Sequence, residues 1–427
     1  MIELRAKDIA AVTGGDLCEV DPNVSISGNV VIDSRDVRPG DIFVAIVGER
    51  VDGHDYGDQA LQAGAALVIA ERSIPSAHLR VANTVQALAD LARHVVAEVR
   101  EGGKLQVIGI TGSAGKTTTK DLLAAICSQA GPTVAPVGSF NNDIGMPLTA
   151  LRIDRDTEYL VCEMGASAKG ELSRLTAIAP LDIACVLMVG HAHLQGFGSI
   201  DDVARAKAEL LANVRGAVVL NADDPRVRAM AKLATAPSGQ VLPRHRIKYF
   251  SATNQLRHLN GSDLAATDVI TDAQGRSVFV ASRGAEQVRV TLPMPGRHHV
   301  NNALAALTVA TTLGIDLQRA ATAISQARLS AHRMAVHRLG EVTLIDDAYN
   351  ANPESMRAAL ATVAKMPAVR RVAVLGTMLE IGDQSAQLHY QVGKYAGDVG
   401  IDWVVAVAAP KIAQGAREAG VKRVDAV

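Results

Sequence analysis

The segment GITGSAGKTTTK, Gly109 to Lys120, follows directly on the apolar run LQVI. A buried strand that ends in a glycine-rich turn and passes at once into a helix leaves few folds open to a chain. Backbone N–H groups of the turn and of the first helical turn converge on one point, where they and the Lys116 charge can hold a phosphate. The Thr117 hydroxyl can join the shell of a magnesium ion there. Gly112, Ser113, Ala114, Gly115, Lys116, Thr117 and Thr118 are therefore candidate nucleotide ligands. The common spacing G-x-x-x-x-G-K-[ST] would put its first glycine at position 110, but Ile110 stands there and Gly109 is one place early. The alternative is a Gly/Ser-rich turn with a solvated lysine. The coincidence of strand, glycine pair, Lys-Thr and helix favours nucleotide binding.

Around this loop the sequence alternates. LQVIGIT (105–111), EYLVCEM (158–164), DIACVLMVG (182–190) and GAVVLNAD (216–223) read as buried strands. KDLLAAICSQA, GELSRLTAIA and IDDVARAKAELLANV between them read as helices, which is the βαβ pattern of a mainly parallel sheet. From about His245 to Thr291, RIKYF, DVITD, SVFVAS and QVRVTL predict a small antiparallel meander ahead of the helix NNALAALTVATTLG. A second α/β series is expected to start at VTLID (342–346) and to run through a helix after Pro353, RVAVLG (371–376), a helix near 386–397 and DWVVAVA (402–408). At the N-terminus, VVIDSRDVRPGDIFVAIVG reads as two strands joined by a Pro-Gly turn. Three α/β units are expected: residues 1–82, a central unit over 83–313, and a C-terminal unit over 314–427.

Composition excludes several functions. A net charge of -1 over 427 residues and an aromatic content of 3% offer neither a phosphate-neutralising surface nor stacking platforms for nucleic acid. No signal-peptide core and no apolar run of membrane-spanning length is present, so a cytoplasmic protein without membrane insertion is expected. The four cysteines (Cys18, Cys127, Cys162, Cys185) are far apart, mostly in apolar surroundings, and read as reduced thiols.

Polar residues gather at the ends of the strands, the edge where doubly wound sheets collect their chemistry. Glu163 closes EYLVCE, and His191 and His193 follow DIACVLMVG; a carboxylate and an imidazole beside a triphosphate are candidate magnesium ligands. Asn221-Ala-Asp-Asp is no guanine-reading element, because Ala222 replaces the lysine of N-K-x-D; it reads as a turn ending at Pro225. Lys207, inside a helix, reads on its own as a solvated charge. Asn301 and Asn302 precede a helical run and suit a helix cap. Asp33-Ser34-Arg35 alone suits an Asx turn with a surface arginine.

TGSAGKTTTK, SFNNDIGMP (139–147), CEMGAS (162–167), GHAHLQGFGS (190–199), AKAEL (206–210), NADDP (221–225), HHVNNALAAL (298–307), HRM (332–334) and DDAYNANPESM (346–356) resemble, in order and spacing, the motifs of the Mur ligases. The resemblance covers essentially the whole chain. It implies three domains, with a central P-loop parallel-sheet domain and a Rossmann-like C-terminal domain. The last motif, with SFNN-x-IG-x-P and H-L-x-GFGS, most resembles the branch of the family that joins D-alanyl-D-alanine to a UDP-N-acetylmuramoyl tripeptide. That activity implies ATP and Mg2+, an acyl-phosphate intermediate, and a monomeric enzyme of peptidoglycan precursor synthesis.

The resemblance also implies roles. Lys116 would neutralise β/γ-phosphate oxygens, Thr117 and Glu163 would hold the first magnesium, and His193 a second. Lys207 matches the lysine that several Mur ligases carbamylate, which would turn it into a metal-facing anion. Asn302 would contact adenine, Arg333 the nucleotide phosphates, and Asp347 with Tyr349 and Asn350 the ribose or phosphates. Ser34 and Arg35 match the UDP-binding segment, together with GERVDGH (48–54), and Asn141 and Asn142 lie in a substrate motif. The family's third domain usually continues for another strand and helix with a Lys-Gly-Ser-like segment, so a truncated or short form is expected, and the dipeptide-binding part is the least defined. The nearest alternative is a sister ligase or folylpolyglutamate synthase; the Asp-Asn-Pro-Arg segment general among sisters that add a diamino acid is missing here. A nucleotide-driven switch without ligase activity is the alternative of another class.

Overall fold

The computed structural model describes residues 1–192, 194–253 and 263–427. The chain forms two compact units. The first comprises Met1–Ile108, Gly131–Met164 and Ser173–Leu181, and the second Gly109–Ala130, Gly165–Leu172 and Asp182–Val427.

In the first unit five strands lie in the order Asp16–Cys18, His78–Arg80, Leu67–Ala70, Ile42–Val44, Val30–Val31. Leu67–Ala70 and Ile42–Val44 are buried throughout, as apolar parallel strands covered on both faces must be. Val30–Val31 and Ile42–Val44 pair in parallel, which corrects the expectation of two strands turned by Pro39-Gly40. The turn exists, with Gly40 at a φ of 92°. The buried Asp41 carboxylate accepts the N–H groups of Asn29 (2.7 Å) and Arg38 (3.0 Å), so the connection closes as a tied crossover and re-enters in the same direction. The helix Thr84–Glu101 is capped by Asn83, whose side chain accepts the Gln86 N–H, and it buries Leu88, Leu91, Val95 and Val99 along one face. Tyr159–Glu163 pairs in parallel with Thr133–Val134, and Gln106 N–H donates to Glu158 at 2.8 Å.

The second unit holds a run of parallel strands, Ile183–Val186, Ala217–Asn221, Ile247–Ser251 and the start of Leu264–Thr271. Arg276–Arg283 and Glu286–Pro295 then add antiparallel strands. RIKYF therefore belongs to the parallel series, and the expected meander is confined to the three strands after it. Alternation alone carries no strand direction; the 3-10 turn Arg244–Arg246 brings the chain in alongside Ala217–Asn221. Three of the four cysteines are buried and all four are free. Helix Lys116–Ala130, which follows the glycine-rich turn, packs against His299–Thr312 and Leu317–Ser325.

The C-terminal part of this unit has a three-stranded parallel sheet, Val372–Leu375, Trp403–Ala406 and Arg423–Ala426, with the helices Pro353–Lys365, Ser385–Asp398 and Pro410–Glu418. Met356, Leu360, Leu388, Val392 and Ile412 fill its core. VTLID does not open this series. It pairs antiparallel with Ala335–Leu339 across the two-residue turn Gly340-Glu341, with Gly340 at a φ of 59°, a hairpin signal that the α/β reading passed over. Arg423–Ala426 is a further strand beyond the expected strand-helix pair. Among the described residues no helix is long and apolar enough to cross a membrane.

Candidate active site

The phosphate loop is built within the second unit. Ser113 N–H donates to Met188 O (3.0 Å), and Gly190 N–H donates to Ser113 Oγ (2.8 Å), so the loop is laced to the chain leaving strand Ile183–Val186. Both outer glycines are required. A Cβ on Gly112 would stand 2.9 Å from Leu187 Cβ, and Gly115, at a φ of 85°, would drive a Cβ to 2.4 Å from Asn302 Oδ1. Lys116 opens the helix, and its Nζ donates to Gly112 O at 2.9 Å, arching the charge over the loop. Ile110, which stands where the common spacing has a glycine, is wholly buried in the strand.

Several of the candidate residues meet this loop. Arg333 Nη2 donates to Thr117 Oγ1 at 3.0 Å, and the same guanidinium lies 4.1 Å from the centre of the Tyr349 ring. Asp347 Oδ1 accepts the Met334 N–H at 3.1 Å; burial pushes its carboxyl up to about 6, against the pull of that bond and of Arg333. His332 and Met334 flank Arg333 at φ values of 59° and 52°, so the backbone that presents the guanidinium is strained. Asn350 is exposed and bonds the N–H of Ala351. Asn302 lies inside helix His299–Thr312, not at its cap, and is buried against Gly115.

Lys207 corrects the solvated-charge reading. It is 2% exposed in helix Ile200–Ala208, and its ammonium is pushed down to about 7, first by burial and then by the charge of Lys116. An amine there is neutral in a large fraction of molecules at neutral pH.

Glu163, Asn141, Asn142, Ser34 and Arg35 lie in the first unit. Glu163 is buried at the end of its strand; Oε1 accepts from Asn141 Nδ2 at 2.7 Å, and Oε2 has no partner among the described residues. An orphaned, buried carboxylate oxygen fits a hard cation that keeps several water or phosphate ligands of its own. Asn142 Oδ1 accepts the Gly145 N–H at 2.8 Å and so shapes the entry to a short helix. Ser34 bonds Gln59 at 3.3 Å, and the exposed Arg35 pairs with Asp33, whose carboxyl that hydrogen bond holds down at about 2. His193 lies outside the described residues. Among the described residues no group of three or more His, Cys, Asp or Glu could hold a metal ion.

Residues 28–96 match the Mur ligase family catalytic domain, 110–310 the Mur ligase middle domain, and 332–427 the Mur ligase glutamate ligase domain. A UDP-N-acetylmuramoyl-tripeptide--D-alanyl-D-alanine ligase of Mycobacterium tuberculosis (strain ATCC 25618 / H37Rv) is 42% identical, over 95% of this chain and 83% of its own length. The chain belongs to the Mur ligase family. Among solved structures, a MurF crystal structure from Acinetobacter baumannii superposes on this Mur ligase with a TM-score of 0.86 at 32% identity, covering 99% of this chain and 89% of that one. A MurF ligase from Thermotoga maritima in complex with ADP gives a TM-score of 0.75 at 28% identity, with 93% of each chain covered.

Further polar pairings in this Mur ligase surround the loop. His191 Nδ1 and its own backbone N–H reach Glu354 Oε1 at 2.6 and 3.2 Å, and a Cβ on Gly190 would stand 2.9 Å from the Glu354 carboxyl carbon. Glu354 thus meets the loop to which Ser113 is tied. In the sequence it lies within DDAYNANPESM, and it stands in the first turn of helix Pro353–Lys365, where the helix dipole favours it. Buried Lys120 pairs with Asp121 at 2.5 Å, and Asp121 Oδ2 accepts the Ser330 N–H at 2.7 Å, fixing the chain that carries Arg333 three residues later.

Proposed function

We infer that this Mur ligase uses ATP to join D-alanyl-D-alanine to a UDP-N-acetylmuramoyl tripeptide, the two substrates that its relatives' names give for them. The observation that carries the reading is the phosphate loop with Asn302 and Arg333 set on it, in a chain 42% identical to such a ligase over 95% of its length. A tripeptide carboxylate oxygen forms a bond to the γ-phosphorus while the bond from that phosphorus to the bridging oxygen breaks and ADP leaves. The amine of D-alanyl-D-alanine then attacks the acyl phosphate; the amide forms, phosphate departs and the amine gives up a proton.

Both anions of the first step repel, so cations and positioning carry the catalysis. Lys116 draws charge from the β/γ oxygens, Arg333 faces the phosphates, and Asn302 and Asp347 with Tyr349 and Asn350 hold the rest of the nucleotide. Magnesium, when bound, would neutralise phosphate oxygens; Thr117, Glu163, His193 and a carbamylated Lys207 are the residues assigned to it. The carbamate forms when neutral Lys207 Nζ bonds to the carbon of CO2 and loses a proton, and the lowered ammonium pKa supports it. Ser34, Arg35, Asn141 and Asn142 are assigned to the UDP-linked substrate. Residues 1–82, 83–313 and 314–427 act as the UDP-substrate, ATP and C-terminal domains of a cytoplasmic monomer.

Release of ADP is to be measured over a panel of UDP-muramoyl peptides, each with and without D-alanyl-D-alanine. Turnover that needs the tripeptide and the dipeptide supports this function. Slow hydrolysis indifferent to both, or preference for a shorter peptide and a single amino acid, overturns it. A carbamate signal from 13C-bicarbonate, lost in Lys207→Ala, tests the modification separately.

A further inference from the structure

Asn302 meets the phosphate loop at Gly115, and its neighbour one helical turn back is a histidine. His299 is 4% exposed at the start of helix His299–Thr312, and its Nδ1 lies 3.1 Å from Asn302 Nδ2. An amide nitrogen carries two hydrogens and accepts nothing, so the ring nitrogen opposite it is an acceptor and the ring proton sits on Nε2. With its NH2 group so engaged, the amide turns its oxygen to Gly115. A carbonyl oxygen sits favourably against the Cα hydrogens of a glycine, whereas an NH2 group would set hydrogens against hydrogens. Gly115 is the loop residue with the left-handed φ of 85°, immediately before Lys116.

We propose that His299 is a positioning residue for the ATP site: it fixes the orientation of the Asn302 amide, and through it the shape of the phosphate loop at Gly115. The contact is wholly inside the protein, and Nε2 has no partner among the described residues, so no competing bond to the ring selects the opposite tautomer. Burial, then the charges of His298 and Arg333, hold the imidazolium well below its usual range, which keeps Nδ1 an acceptor at working pH. The inference rests on the reading of Gly112–Thr117 as the ATP loop.

The test uses steady-state ligation with ATP varied and both other substrates saturating. Asparagine places an oxygen where Nδ1 stood; leucine and glutamine do not. His299→Leu and His299→Gln are expected to raise the KM for ATP about tenfold, as loss of a buried hydrogen bond to an amide would, with kcat within about twofold. His299→Asn is expected to restore the wild-type KM to within about threefold. In an Asn302→Ala background, His299→Leu should change the KM for ATP no further. A KM unmoved by His299→Leu, the same increase in the Asn302→Ala background, or equal impairment by Leu and Asn would overturn the assignment. The tautomer is read on the unaltered protein from 15N shifts of the histidine rings: an Nε2-protonated ring is expected at His299, and Nδ1 protonation overturns the proposal whether or not the variants fold. Lys116→Ala is the companion control. If it binds ATP as the wild type does, the loop assignment itself fails; if it does not and His299→Leu keeps its affinity, only the positioning role fails.

Discussion

Replacing Lys207 by methionine should change how stability depends on pH. The ammonium is held at about 7 in the folded chain against 10.5 in an exposed lysine. The unfolded chain therefore binds a proton that the folded chain releases over the window from 7 to 10.5, and stability rises with pH there. Below that window both states are protonated and the penalty is constant and full. Integrated, the penalty is about 4 kcal/mol at pH 7 and about 2 kcal/mol at pH 9, a change of about 2 kcal/mol. Methionine keeps most of the apolar stem and has no proton to lose. The excess stability of Lys207→Met over wild type should accordingly shrink by about 2 kcal/mol between pH 7 and pH 9, whatever constant offset its packing adds. Paired urea titrations in CO2-free buffer at several pH values measure this difference. A gap that stays flat from pH 7 to pH 9 would show an ammonium that is solvated or compensated in the folded state, and would remove the neutral amine from which the carbamate is argued.

Lys116→Ala should lower ligation by at least about a thousandfold while its affinity for the UDP-tripeptide, measured by calorimetry, stays within about twofold, since the lysine acts on phosphates alone. Substantial turnover would take the loop out of the mechanism. Gly115→Ala puts a Cβ 2.4 Å from Asn302 Oδ1 at a φ of 85°. The left-handed conformation alone costs about 1–2 kcal/mol, so ATP affinity by calorimetry should fall about tenfold or more, and wild-type affinity would refute the close approach. Glu354→Ala and His191→Ala should couple in a double-mutant cycle on kcat. The side chains are 25% and 36% exposed, which limits the coupling to about 0.5–1 kcal/mol, and strict additivity would make the contact incidental.

What was legible in the sequence was local. Strand, glycine turn and helix around Lys116 share one stretch of chain, and each element needs only its own residues to declare itself: LQVIGIT by its burial and Gly115 by the φ it must adopt. Strand direction was less legible. Val30–Val31 and Ile247–Ser251 show the apolar content of a strand either way, and their direction appears only in the pairing with Ile42–Val44 and with Ala217–Asn221.

Least legible were polar side chains whose meaning depends on a partner distant in sequence. Lys207 has the composition of a surface residue, and only the packing of helix Ile200–Ala208 makes it a buried amine beside Lys116. Glu354 had no role of its own within DDAYNANPESM, and the partner that gives it one, His191, lies more than a hundred residues earlier. The difference has a physical cause. Apolar burial is nearly additive in area, so periodicity reports it one residue at a time. A buried polar group is stable only when a partner or a ligand meets it, so its reading needs two positions at once. The same rule makes Glu163 informative: Oε1 has Asn141 and Oε2 has no partner among the described residues, and a buried carboxylate oxygen in that state is where a ligand from outside the chain would be expected to supply the second position.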